Sequence, residues 1–141
     1  MKILILCTGN TCLSQMAEGY LRAFDHNMEV FSAGTEPGEE VNPNAIKVMN
    51  EEGISLLNSS PESVNEFLDV DFDYVITVCG GAQESCPTFS GKVKHSLHIG
   101  FDDPADAVGT DEFIVSEFRR IRDEIKRDFG DFYKKELTNN K

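Results

Sequence analysis

Lys2-Ile-Leu-Ile-Leu-Cys7-Thr8-Gly9-Asn10-Thr11-Cys12-Leu13-Ser14 decides the fold. Ile3 to Cys7 is an unbroken apolar run, halted by Thr-Gly-Asn. Such a run describes a strand buried on both faces, as in parallel sheets. Beyond the break, Met16, Ala17, Tyr20, Leu21 and Phe24 share one face of a helix starting near Ser14. The chain therefore opens strand, tight loop, helix. A loop so placed turns its amides and the helix N-terminus toward one point, which attracts anions. The same field lowers the pKa of a cysteine there, so Cys7 is expected as a thiolate nucleophile. Ser14 is expected to donate a hydrogen bond to it, and Gly9 permits the curl. The plainer reading of Cys7 is a buried structural cysteine at a strand end.

The rest of the chain repeats the alternation. Met28 to Ala33 reads as a second strand closed by Gly34, and Thr35 to Val41 as a loop. Asn42-Pro43 caps a second helix with Ala45, Ile46 and Met49 inward and Gly53 at its end. Ser60-Pro61-Glu62 starts a short third helix carrying Val64, Phe67 and Leu68. Tyr74 to Cys79 is a third strand, broken by Gly80-Gly81, with a long loop predicted from Gly80 to Gly91. Val93 to Ile99 is a weaker fourth strand leading into Gly100-Phe101-Asp102-Asp103-Pro104. Ile114, Phe118, Ile121, Ile125, Phe129 and Phe132 mark a long last helix, weakened by Gly130. Strands alternating with helices predict one α/β domain over residues 1–141: a four-stranded parallel sheet between two helical layers. Sites in such sheets gather beyond the carboxyl ends of the strands. Cys7, Cys79 and Asp102-Asp103-Pro104 all fall at such ends.

The chain has 141 residues and a formal net charge of −12, from 13 basic and 25 acidic side chains. That charge repels polyanions, so neither nucleic acid nor an anionic membrane is expected as partner. No run reaches the roughly 18 apolar residues of a membrane span. A cytoplasmic protein is the expectation, its four cysteines reduced rather than cross-linked.

Cys7-Thr8-Gly9-Asn10-Thr11-Cys12-Leu13-Ser14-Gln15-Met16-Ala17-Glu18-Gly19 resembles the active-site loop of the low-molecular-weight tyrosine phosphatase fold. More closely, it is similar to that of the thioredoxin-coupled arsenate reductases. Phe31-Ser32-Ala33-Gly34, Val41-Asn42-Pro43, Cys79 with Cys86, and Gly100-Phe101-Asp102-Asp103-Pro104 follow in the family's order. The resemblance implies that residues Thr8 to Ser14 bind arsenate or another tetrahedral oxyanion. It implies that Cys7 attacks arsenic while Asp103 protonates the leaving oxygen. Cys79 then attacks Cys7 and releases arsenite, Cys86 attacks Cys79, and thioredoxin reduces the Cys79–Cys86 disulfide. It implies no tightly bound cofactor. Some members bind a potassium ion, and the matching positions here are Asn10, Glu18, Ser32 and Glu62, with Glu62 where an aspartate is usual.

One position departs from the family signature C-x5-R: Leu13 stands where the arginine belongs. That arginine grips two oxyanion oxygens in a planar fork. Two charge-assisted bonds at roughly 1.5–3 kcal/mol each make about 3–6 kcal/mol, or roughly 10²–10⁴ in rate. Arg22 lies two helical turns past Ser14, and Lys92 and Lys94 reach the loop only if their segment folds over it. The alternatives are a non-catalytic oxyanion-binding or thiol redox-sensing protein, and a tyrosine phosphatase. The phosphatase depends on the same arginine and has no use for the Cys79/Cys86 pair.

Other patterns read more simply. Cys7-x4-Cys12 and Cys79-x6-Cys86 lack the two-residue gaps of a zinc ribbon. Cys12 reads as a non-essential loop thiol. His95 and His98 face opposite sides of a strand as ordinary polar positions. Arg119-Arg120-x-Arg122 reads as a solvated helix face balanced by Glu117, Asp123 and Glu124.

Overall fold

A computed structural model describes residues 1–138. Its elements run β1 (Lys2–Cys7), α1 (Leu13–Phe24), β2 (Glu29–Gly34), α2 (Pro43–Asn50), β3 (Phe72–Thr77), α3 (Gly80–Ser85), β4 (Val93–His98) and α4 (Asp111–Phe132). Single 3-10 turns occupy Val64–Phe67 and Pro104–Asp106, and a π-helical turn, Tyr133–Leu137, extends α4. The four strands form one parallel sheet in the order β2-β1-β3-β4. The chain goes one way from β1 to β2 and the other way to β3, so strand order reverses at the carboxyl end of β1. A crevice opens at such a point in open α/β sheets.

Alternation along the strands sorts the core into two layers. Ile3, Ile5, Cys7, Tyr74 and Ile76 face α1, α2 and α4. Leu4, Leu6, Phe72 and Val75 face the Val64–Phe67 turn and Ala82 of α3. The sheet is thus covered on both sides, thickly by three helices and thinly by one short helix and a turn. That asymmetry follows from the sequence. Only α1, α2 and α4 carry full apolar stripes, while α3 buries Ala82 alone.

Several expectations shift. The third strand begins two residues earlier and ends at Thr77, so Cys79 lies beyond it. The first part of the expected loop, Gly80–Ser85, is helical, capped by the Cys79 sulfur, which accepts from Ala82 N–H. Two glycines hid this helix from propensity reasoning; its cap comes from a residue type seldom counted among N-caps. The turn after Pro61 is capped by Ser63, whose hydroxyl accepts from Asn65 N–H, not by Ser60. The arginine run on α4 is more than a solvated face. Arg119 and Arg122 both bind Glu51 just past α2, and Arg122, only 11 % exposed, also donates to the Val48 carbonyl. Arg120 does pair with Glu117 and Glu124 as expected. Asn42 caps α2 through Asn44 N–H, and Gly53 takes a positive φ of 75° just past its end.

Candidate active site

The loop between β1 and α1 is held by its own carbonyls. Cys7, Thr8, Gly9 and Thr11 accept at 2.9–3.1 Å from the backbone N–H groups of Thr35, Glu36, Gly38 and Asn42. Carbonyl and following amide point opposite ways across a planar trans peptide. Tying these carbonyls outward therefore turns the amides of Thr8, Gly9, Asn10 and Cys12 inward, an arrangement that favours negative charge. Gly34, paired with Cys7, admits this strap closely: a Cβ there would sit 2.5 Å from the Thr8 carbonyl oxygen.

Asn10 locks the curl from inside. It is buried and adopts φ 56°, a left-handed conformation that asparagine tolerates better than most residues. Its Nδ2 donates to Ser14 Oγ at 2.7 Å and Ser32 Oγ at 3.0 Å. Its Oδ1 accepts from Glu62 N–H at 2.9 Å and Gln15 Nε2 at 3.2 Å. Gln15 also donates to the carbonyls of Asn10 and Ser60. The sequence carried no separate signal for Gln15 or for the Thr35–Asn42 strap, because both act through contacts made by folding. Ser14 is committed to Asn10 and makes no hydrogen bond with Cys7 among the described residues, contrary to the expectation.

Cys7 and Cys79 meet across the crevice. The Cys7 thiol donates to Cys79 Sγ at 3.7 Å. Thr8 Oγ1 lies 3.4 Å from the same sulfur, and Ala82 N–H donates to it at 3.4 Å. These donors, with Cys7 first, push the Cys79 pKa down to about 5. The Cys79 hydrogen bond and burial push Cys7 far up. Burial and donation to Cys79 oppose the expected Cys7 thiolate in this arrangement. The two sulfurs titrate as a pair, and the donors around the less buried Cys79 favour the charge there.

Asp103 caps the Pro104–Asp106 turn by accepting from Ala105 N–H at 2.9 Å. It keeps a solvent-facing edge, yet the surrounding protein mass raises its carboxyl pKa, and its charge bears on both Cys7 and Cys12. Cys12, buried at the N-terminus of α1, is pushed up to about 12 by burial. Thr11 Oγ1 donates to it at 3.8 Å. Cys86 is exposed at the far end of α3, its thiol 3.7 Å from the Pro87 carbonyl. Six helical residues span about 9 Å, so Cys86 is not brought to Cys79 here.

Leu13 is fully buried in the core as the first residue of α1. No described cation takes the arginine's place through an ion pair or hydrogen bond to residues 7–14. Arg22 binds Glu18 and the Val30 carbonyl, and Lys94 pairs with Asp73 at the other end of the sheet.

The residues matched to an ion site divide. Glu18, Ser32 and Glu62 line one cleft of about 190 Å³ beside Ser60 and Arg22. Asn10 is not one of its walls, and its amide oxygen already accepts from Gln15 Nε2 and Glu62 N–H. Burial raises the Glu18 pKa, with Arg22 opposing.

Residues 2–141 match the family model described as low molecular weight phosphotyrosine protein phosphatase. An arsenate reductase of Halalkalibacterium halodurans is 46 % identical over 124 residues, 87 % of this chain and 88 % of that one. Among solved structures, an arsenate reductase in the phosphate binding state superposes with TM-score 0.79 and 27 % identity, over 95 % and 97 % of the two chains. A thioredoxin-dependent arsenate reductase of Corynebacterium glutamicum gives TM-score 0.62 and 26 % identity, over 92 % of this chain and 61 % of that one.

Proposed function

The chain belongs to the low molecular weight phosphotyrosine protein phosphatase family, and from that premise we propose that it reduces arsenate to arsenite with thioredoxin as final reductant. The observation that carries this reading is the Cys7–Cys79 contact at 3.7 Å beside a loop of inward amides. A phosphatase has no need of a second thiol there. Its arsenate reductase relatives add weight.

The shared proton orders the chemistry. Moved from Cys7 to Cys79, it frees Cys7 to attack arsenic, while Asp103, whose carboxyl pKa is raised by burial, hands a proton to the departing oxygen. Cys79, deprotonated again, attacks Cys7 Sγ. The As–S bond breaks, its electron pair stays on arsenic, and arsenite leaves. Cys86 then attacks Cys79, freeing Cys7, and thioredoxin reduces the Cys79–Cys86 bond by the same exchange. A cytoplasmic setting, which keeps thiols reduced, fits this reading.

The cleft beside Glu18, Ser32 and Glu62 offers hard oxygen donors of the kind a potassium ion takes. Such an ion would brace the loop through Ser32, whose hydroxyl accepts from Asn10, without entering the chemistry.

A second reading has its own observation. Leu13 is wholly buried and no cation among the described residues replaces the arginine, which favours a thiol redox sensor that keeps the relay and not the oxyanion grip. Arsenate turnover with thioredoxin, thioredoxin reductase and NADPH, run beside an aryl phosphate, separates the two. The reductase consumes NADPH only when arsenate and thioredoxin are both present. Silence toward arsenate, with a Cys79–Cys86 disulfide formed by mild peroxide, overturns it in favour of the sensor. Hydrolysis of the aryl phosphate alone overturns both.

A further inference from the structure

We propose that Cys7 and Cys79 form a chelating site for neutral, thiol-seeking trivalent centres, organic trivalent arsenicals above all, bound through two As–S bonds without redox chemistry. This goes beyond the reductase reading and does not depend on it. The two sulfurs stand 3.7 Å apart, in contact and unbonded. Two bonds of about 2.3 Å meeting at one atom, at angles between a right angle and the tetrahedral value, set their sulfurs about 3.3–3.8 Å apart. The pair is therefore already spaced for one bridging atom. It is also held there: Cys7 by the end of β1, and Cys79 by Ala82 N–H and Thr8 Oγ1.

Two further observations select the ligand. Among the described residues no group of three or more His, Cys, Asp or Glu could hold a metal ion, so a tetrahedral zinc lacks its ligands. A trivalent arsenic needs only two sulfurs, because its own third substituent completes its valence. Charge points the same way. A chain of net charge −12, with Leu13 in the loop, opposes an anion but not a neutral molecule. Cys79 is poised to make the first bond, since the Cys7 thiol, Thr8 Oγ1 and Ala82 N–H all face its sulfur and favour its thiolate.

The step is a condensation. One arsenic(III) dihydroxide, R–As(OH)₂, meets the Cys7 thiol and the Cys79 thiolate, takes one proton from solvent, and gives R–As(S–Cys7)(S–Cys79) and two waters. The Cys7 S–H proton and the solvent proton leave on the two arsenic-bound oxygens, two As–O bonds are replaced by two As–S bonds, and nothing is oxidised or reduced.

Phenylarsine oxide is the probe, with free thiols counted after denaturation and the bound peptides identified by mass spectrometry. Two thiols are expected to be lost, of four in the wild type and of three in Cys12→Ser and in Cys86→Ser, with one equivalent of arsenical held in each. Release is expected with a small 1,2-dithiol and not with the same concentration of a monothiol. Cys7→Ser and Cys79→Ser should each lose at least tenfold in affinity, with far-ultraviolet circular dichroism confirming that both remain folded. Binding that survives Cys7→Ser and vanishes in Cys86→Ser overturns the proposal in favour of the Cys79/Cys86 pair. Loss of one thiol only, or of none, in the wild type also overturns it. Arsenate turnover is scored separately, so either idea can fail alone.

Discussion

The loop over residues 7–14 and the segment over 79–86 both follow parallel strands, and both begin with a cysteine, yet they are built oppositely. The first is fixed. Four of its carbonyls are tied to the 35–42 strap, and buried Asn10 makes four side-chain hydrogen bonds beneath it. The second is a six-residue helix with two glycines and one buried side chain. A helix that short does not hold itself in water, and each glycine weakens it by roughly 0.5–1 kcal/mol relative to alanine. One region presents amides and a thiol without reorganising. The other can unwind at small cost and carry Cys86 toward Cys79, which a disulfide requires to come within about 7 Å between Cα atoms. A cradle needs rigidity and a shuttle needs release, and the fold supplies each from a similar start.

The comparison can be broken at its widest point. Cys86→Ser should leave a single turnover of arsenate intact and cut repeated thioredoxin-dependent turnover at least a hundredfold, read as a burst in rapid-quench arsenite assays. Equal steady-state rates would mean that Cys86 carries nothing. Next in size is the fixed side. Asn10→Ala strands Ser14, Ser32 and the Glu62 amide, and buried polar groups left unpaired cost about 1–3 kcal/mol each, partly offset by water. A loss of about 2–3 kcal/mol in urea unfolding is expected.

Leu13→Arg tests what the fixed loop lacks. Restoring the guanidinium should raise thioredoxin-dependent arsenate turnover at least tenfold, a gain of about 1.4 kcal/mol in the transition state. Stability should fall as the charged tip leaves a fully buried position.

Reactivity against pH sharpens the pairing between the regions. Cys79 should be alkylated by iodoacetamide at pH 6, with the rate dropping only as pH falls through about 5. Cys12, pushed up to about 12, should stay inert in the folded state. Thr8→Val removes one donor to Cys79. It should move that midpoint upward by up to about one unit, since one hydrogen bond is worth about 0.5–1.5 kcal/mol. An unmoved midpoint would remove Thr8 from the account.

The smallest effect lies in the shuttle. Gly80→Ala meets no atom within 4 Å and should stiffen α3, slowing formation of the Cys79–Cys86 disulfide about two- to fivefold after peroxide. Gly81 cannot serve the same test, because a Cβ there would lie 2.8 Å from Thr8 Oγ1.

Much of this was legible before folding. Five apolar residues ended by Thr-Gly-Asn fixed β1 and its loop, because a both-faces-buried strand leaves that signature. The long stripe of α4 was equally plain from its three- and four-residue steps. Helix α3 was not legible, since its glycines argue for a loop and its N-cap is a cysteine sulfur. Nor were the Arg119 and Arg122 bridges to Glu51, which join residues about seventy positions apart.

By itself, then, the sequence determined the α/β alternation, the placing of Cys7, Cys79 and Asp103 at strand ends, and the loss of the arginine at Leu13. Those are properties of local pattern and identity. Only the tertiary structure decided that the two sulfurs meet and share their donors, what ties the loop, and that Ser14 serves Asn10 rather than Cys7. A pKa and a hydrogen-bond partner depend on what stands within a few ångströms, and that is settled when β1 and β3 lie side by side.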